Sequence, residues 1–464
     1  MRTLSQSIER ISALRFFQTT ALCFGLAIIG LTPPFQVPDE PDHFERAFHL
    51  SEGIFFGIQQ DQRLGGEIPA SITALEAIYH PIKHNYTAKH TSEQFEKASA
   101  IALKPKQKVF EDFPNTGLYP ITVYLPQTLA ITVGRLFKSK PLYILYFTRL
   151  CTLLFWIFLI TKAIRILPHW KWEFAFLALL PGALFINASA SGDVVTNGVA
   201  FLVLAFCIRT LSQAQLKVSY KQMIWLAVGI AILALNKFVY APVLLLAFLF
   251  PKAAFPKPKY RNQFAIGLLV MAIGIVTLWN LKTSTLFIPK SEYNPLVEGA
   301  ITLNDGVDPK AQFDFMLNNP FEFAKIAVVS AVEITPASLA HYFGKFGWEK
   351  NYLPTWTIVV LLLTTLLAFF RRTPFELPKK TRLTFLVVAA IMFMGLAATL
   401  YMMWSPVGND RILSLGGRYL IPVLPLVWLA MPRVITFKYH RQLIVSVSVL
   451  ALLVGLFSAY ARYY

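Results

Sequence analysis

Charge is what this chain has least of. Of its 464 residues only 15% are charged, against 55% hydrophobic and 14% aromatic, where a soluble domain carries about 25% charged side chains. With a mean hydropathy of +0.53, that shortage excludes a soluble globular domain. Acidic residues are scarcer than basic ones, 25 against 43, for a net charge of +18. Cysteine is nearly missing: Cys23, Cys151 and Cys207 each sit in an apolar run, where they read as packing residues and leave no disulfide framework. Walker loops, dinucleotide fingerprints and HExxH pairs are lacking, and the eight histidines show no zinc spacing, so nucleotide hydrolysis and zinc chemistry have no support. No internal repeat is visible, which weakens an inverted-repeat transporter.

What the chain does have is a series of apolar runs near the roughly 20 residues that cross a bilayer. They predict an all-α, polytopic membrane protein forming one integral membrane domain over 1–464. The first run, 13–31, lacks a small-residue cleavage site and reads as a retained helix. The basic residues do not form a nucleic-acid surface. They cluster in short connections, such as Lys162, Arg165 and Lys171, then Arg371, Arg372, Lys379 and Lys380, together with Arg2, Arg10 and Arg15 near the N-terminus. Such loops stay in the cytoplasm. The alternation predicts a cytoplasmic N-terminus, a cell-membrane location and about eleven helices. These fall near 13–31, 142–161, 174–187, 194–211, 222–235, 238–250, 264–281, 354–370, 383–404, 417–432 and 442–461.

Two long regions, 32–141 and 282–353, then lie outside as elaborated loops. Residues 118–137 and 321–340 are apolar but interrupted by Pro120, Pro126 and Pro336, and are expected to be interfacial or re-entrant. "TSEQFEKASAIALK" (91–104) predicts a short surface helix with Thr91 or Ser92 as N-cap.

The stretch "FQVPDEPDHFERAFHL" (35–50) concentrates Asp39, Glu40 and Asp42 at the mouth of the first helix, where carboxylates are costly and so candidates for use. Asp39-Glu40-Pro41 looks like a helix start, with Asp39 as a cap. Phe44, Ala47 and Phe48 would form an apolar stripe, leaving Glu45, His49 and Glu52 towards water, with Asp42 able to pair with Arg46. A cap needs one carboxylate; two adjacent ones suit a general base or a metal-ion site. His43 and His341 read as polar surface residues.

Six stretches resemble one family. They are "PPFQVPDEPDHFERAFHLSEG" (33–53), "LYPITVYLPQTLAITVGRL" (118–136), "LLPGALFINASASGDVVTNGVAFL" (179–202), "LNKFVYAPVLLL" (235–246), "FGKFGWEKNYLPTW" (343–356) and "GGRYLIPVLPL" (416–426). In this order they are similar to the bacterial multi-pass membrane proteins of domain of unknown function 2142, which resemble GT-C-fold glycosyltransferases. The resemblance implies transfer of a sugar from a polyprenyl-phosphate carrier, on the outer face, to a glycan or lipid-linked acceptor. It maps an acidic catalytic position to Asp39 or Glu40 and a second to Asp193, whose bland role is capping the following helix. Which of Asp39 and Glu40 acts, and whether a divalent cation (Mg or Mn) takes part, stays open.

A leaving polyprenyl phosphate is an anion, so the site needs a cation and a carboxylate that accepts the acceptor's proton. Lys237 and Arg418, the latter beside Tyr419, are the cation candidates, with Asp42 a further substrate-binding candidate. The bland alternatives are an interfacial anchor for Arg418 and a snorkelling Lys237. The competing function is a transporter or flippase for a lipid-linked oligosaccharide, which calls for ionisable residues near the membrane midplane. Arg149, deep in the second helix, is the main residue of that kind.

Overall fold

The computed structural model describes residues 10–213, 217–289, 292–296, 306–348 and 351–464. Arg2 and several stretches of the 282–353 region lie outside the described residues.

The chain is mostly helical. α1 (Ala13–Leu31) starts at Ser12, whose hydroxyl accepts from the Arg15 amide at 3.2 Å. A turn leads to α2 (Glu40–Ser51), then to a small antiparallel sheet in the order β1 (Ile58–Gln60), β2 (Arg63–Pro69), β3 (Lys108–Asp112). α3 (Ala70–Lys83) and α4 (Ser92–Ala100) stand between β2 and β3. Next come α5 (Leu125–Leu136), α6 (Pro141–Ile166), α7 (Lys171–Ala178), α8 (Pro181–Asn187), α9 (Asp193–Ser212) and α10 (Tyr220–Asn236). A 3₁₀ stretch (Phe238–Leu249) precedes α11 (Lys259–Thr283), α12 (Pro309–Asn318), α13 (Pro320–Gly344), α14 (Thr355–Phe370), α15 (Lys379–Trp404), α16 (Leu424–Ala430) and α17 (His440–Tyr463).

Among the described residues six helices, α1, α6, α9, α11, α15 and α17, are long and apolar enough to cross a membrane. α10, the 3₁₀ stretch and α14 are shorter apolar helices. α13 bends by 61° between Pro320–Glu333 and Pro336–Gly344, as a proline inside a helix dictates. The expected run 174–187 is divided into α7 and α8, with Pro181 opening the second piece, and 417–432 into a 3₁₀ turn and α16. Trp156, fully buried on α6, meets Phe201 of α9 edge-on at 5.7 Å, and Phe201 meets Phe174 of α7 at 5.5 Å. These rings lock the three helices side by side. Of the cysteines only Cys207 is buried; Cys23 is exposed and Cys151 half-buried.

The sheet corrects the all-α expectation. β1 and β2 join through Asp61 and Gln62, both left-handed at φ 50° and 58°, the signature of a two-residue hairpin turn. Gly65 is obligatory, since a Cβ there would stand 1.8 Å from the Glu111 carbonyl oxygen on β3. The sheet and α5 enclose α2, so Glu45 and His49 are buried instead of facing water. Arg46 does not pair with Asp42: it is fully buried and donates to the carbonyls of Phe55 (2.7 Å) and Tyr119 (3.2 Å). α4 has the expected cap, Thr91, in a reciprocal box with Gln94.

The bundle has two distinct ends. The 32–140 segment packs on one, where α1 finishes and α6 and α9 begin. At the other, Arg371 lies 3.5 Å from Glu173, and Arg433 stacks over Trp170 at 5.1 Å.

Candidate functional site

Everything of chemical interest gathers at the first end. Asp39 holds a left-handed backbone, φ 62°, at the position before α2, and its side chain makes no capping bond. Aspartate is one of the few non-glycine residues that visit that conformation; with no capping bond the capping role is overturned, and the turn between Pro38 and Pro41 aims the carboxylate elsewhere. It accepts from the Arg418 guanidinium. Arg418 also donates to the Tyr419 hydroxyl at 3.0 Å, and its guanidinium lies 5.0 Å from that ring. The anchor reading of Arg418 is therefore replaced by an ion pair between chain segments 379 residues apart.

A second ion pair stands beside the first. Lys237 donates to Asp193 at 2.5 Å and places its ammonium 5.0 Å from the same Tyr419 ring. Asp193 opens α9 as its first residue, with Gly192 in the capping position, so it is not the cap. Ser191 donates to its other carboxylate oxygen at 3.3 Å. Lys237 sits between α10 and the 3₁₀ stretch, held there by its neighbour: Asn236 accepts from Thr122 at 2.6 Å and donates to Thr196 at 3.3 Å. Tyr240 donates to the Tyr419 carbonyl at 2.9 Å. Lys237 is engaged inward, not snorkelling.

Exposure separates the members. The Asp39 carboxylate is 39% exposed, while Arg418 is 13% and Asp193 8%. Asp39 is thus the acidic member of the cluster that water, or a substrate hydroxyl, can reach. Burial pushes its carboxyl up, but the Arg418 guanidinium outweighs that and holds it below the usual carboxylate range.

Glu40, the next residue, has a different task. It accepts from Arg149 at 2.8 and 2.6 Å through both oxygens, and from the Ala190 amide at 3.0 Å. Arg149 donates its remaining bonds to the carbonyls of Thr32 and Pro33 at 2.6 and 2.9 Å. The pair is 1% and 0% exposed. Glu40 therefore fastens the turn after α1 to α6 and the 188–192 loop, with both carboxylate oxygens engaged. Arg149, whose partner the sequence left open, is its counter-ion.

The metal option does not fit these residues. Asp39 and Glu40 diverge, each accepting a guanidinium, and no group of three or more His, Cys, Asp or Glu among the described residues is arranged to hold an ion.

Asp42 takes no part in the two ion pairs. Burial, then the charge of Asp39, raises its carboxyl to about 7. His43 is buried, not a surface residue, and shares a 2.7 Å hydrogen bond with the Tyr124 hydroxyl. Burial lowers its imidazole to about 4 against the pull of Asp39 and Asp193, leaving it neutral at pH 7. Its ring stacks on Tyr119 at 6.4 Å. His341 likewise turns inward, accepting from the Gly417 amide at 3.2 Å. Gly417 is required here, because a Cβ would lie 2.0 Å from the Ser338 carbonyl oxygen. That close approach sets Arg418 in place. Tyr119, Tyr124, Asn236 and Tyr240 were not among the sequence candidates, although all four stand in the quoted stretches, Asn236 and Tyr240 in the same one as Lys237.

The family described as predicted membrane protein, domain of unknown function 2142, matches residues 22–427. That span takes in both ion pairs and Tyr419. No curated protein and no solved structure matches the chain.

Proposed function

The chain belongs to the membrane-protein family of domain of unknown function 2142, and on that premise we propose that it is a glycosyltransferase of GT-C type. It moves a sugar from a polyprenyl-phosphate donor to a glycan or lipid-linked acceptor at the outer face of the bacterial plasma membrane. In this reading the six long helices, the shorter apolar helices and the broken segments make up eleven passes, with the N-terminus cytoplasmic. The lysine and arginine asymmetry supports that orientation, and the ion-paired end then faces outward.

The observation that carries the reading is the convergence of Asp39, Asp193, Lys237 and Arg418, from four separate segments, around one tyrosine ring. In the reaction the acceptor hydroxyl oxygen attacks the anomeric carbon of the donor sugar. The bond from that carbon to the phosphate oxygen breaks, and its electron pair leaves on the polyprenyl phosphate. Asp39 takes the hydroxyl proton. Arg418 meets the phosphate with its planar fork, and Lys237 adds a second positive charge where the anion develops.

Asp39 is a weak base while Arg418 holds it. A donor phosphate that draws Arg418 away loosens that hold and raises the carboxyl towards the range of a useful base. Donor binding thus readies the base. A flippase is disfavoured because Arg149, the interior charge that suited it, is consumed by Glu40. The test is transfer from a polyprenyl-phosphate-sugar donor by purified wild type and Asp39→Asn. Turnover that depends on Asp39 supports the enzyme; no transfer by wild type, with lipid-linked glycan crossing vesicles instead, favours the flippase.

A further inference from the structure

Two apolar grooves flank the ion-paired cluster, on different helices. One, a cavity of about 380 Å³, lies between α13, α15 and the 415–427 segment and is lined by Leu339, Ala390, Phe393, Leu420 and Val427. Its upper wall, Leu415 and Leu420, brackets Arg418 in sequence. The other, of about 570 Å³, lies between α10 and α11, with Val228, Ile232 and Leu235 on one wall and Ile275 and Leu278 on the other. Val228 to Leu235 covers about 10 Å of helix at 1.5 Å per residue. Val228 and Leu278 are 40% and 70% exposed, so this groove opens sideways.

The second groove has its own polar head. Thr122 roofs it and bonds Asn236, the residue before Lys237. Lys282 stands at its mouth, its ammonium 5.0 Å from the Phe56 ring, which stacks on Trp279 at 5.8 Å. Each groove therefore has a cation beside it: Arg418, between the lining residues Leu415 and Leu420 in sequence, for the first, and Lys282, itself in the lining, for the second. A single lipid-linked donor accounts for one trough and one cation. An acceptor diffusing in from water has no use for the other.

We infer that the acceptor is itself a lipid, a glycan carried on a polyprenyl-phosphate-type anchor. Its chain lies in the α10–α11 groove with its phosphate at Lys282, while the donor chain lies in the α13–α15 groove with its phosphate at Arg418 and Lys237. This rests on the glycosyltransferase reading above and names its acceptor class. In this arrangement the acceptor hydroxyl and the donor sugar meet at the ion-paired cluster.

The test reads binding, not turnover. The full chain, purified in detergent, is titrated with polyprenyl phosphate and the bound copies are counted by native mass spectrometry. Wild type binds two. Ala390→Trp fills the first groove and leaves one, Ala231→Trp, on the α10 wall of the second, fills that one and leaves one, and Lys282→Gln weakens one of the two occupancies by about tenfold. Because a bulky variant can fail to fold, wild type is also cross-linked with a diazirine-tagged polyprenyl phosphate, with adducts expected on peptides of both α10–α11 and α13–α15. A single copy, with adducts confined to one groove, overturns the lipid acceptor and leaves the glycosyltransferase reading standing. No bound copy at all removes the polyprenyl-phosphate reading itself.

Discussion

Arg149 on α6 grips Glu40 through both carboxylate oxygens, at 2.8 and 2.6 Å, with almost no solvent on either side chain. Removing one partner of such a pair strands a buried charge and costs roughly 3–5 kcal/mol, whereas replacing both by apolar groups is often neutral. Glu40→Ala should therefore lower the unfolding temperature in detergent markedly. The double variant Glu40→Leu with Arg149→Met should recover much of the loss. A Glu40→Ala protein of wild-type stability would contradict the fastening role.

Arg418 is predicted to hold the donor phosphate. Arg418→Ala should weaken binding of a polyprenyl-phosphate sugar by about 2–5 kcal/mol, read by titration, against no change for Arg441→Ala, an exposed residue at the opposite end. Arg433 makes a poor control, being buried over Trp170. Equal donor affinities for Arg418→Ala and wild type would leave Arg418 with only its pairing to Asp39.

Asp42 should leave a signature in the pH dependence of stability. Its carboxyl rises from 3.8 to about 7 in the folded protein, from burial and then from Asp39. The folded state therefore holds a proton that the unfolded state releases, and stability from Asp42 is fullest below about pH 4 and falls as pH rises through 7. His43 works in the other direction, losing stability as pH drops below 6.5 towards about 4. The difference in melting temperature between Asp42→Asn and wild type isolates the first effect. It should grow in favour of the variant from pH 5 to pH 8; a flat difference contradicts the assignment.

The proposed orientation predicts which residues an impermeant thiol reagent reaches in intact cells. With Cys23, Cys151 and Cys207 replaced, Asp61→Cys in the β1–β2 turn should label and Lys257→Cys before α11 should not. The reverse pattern would invert the protein and put the ion pairs inside.

Much of this was legible in the sequence, for identifiable reasons. Apolar run length and the basic connections located the long helices, because a helix that crosses lipid must satisfy its own backbone and cannot hide its composition. Lys237 and Arg418, with Tyr419 beside it, stood out as cations at helix ends, and Asp193 entered through the family resemblance. Their convergence did not, since Arg418 meets Asp39 across 379 residues and nothing local encodes that approach. The choice between Asp39 and Glu40 was equally out of reach. Asp before Glu-Pro looks like a cap, and only the left-handed turn at Asp39 sends neighbouring carboxylates to different arginines. The small sheet escaped notice because its hairpin turns on Asp61-Gln62, without the glycine that normally marks such turns. α2 was misjudged because helical periodicity finds one apolar stripe, while the sheet and α5 bury the polar side too.

The central claim is that Asp39 accepts the proton in sugar transfer, and Asp39→Asn tests it most directly. Asparagine keeps the size and tolerates the left-handed backbone, so the variant should melt within a few degrees of wild type. With a polyprenyl-phosphate-sugar donor at saturating concentration, its turnover should fall by about 10²–10⁴-fold, the usual loss of a general base. A well-folded Asp39→Asn protein with near-wild-type turnover would contradict the account.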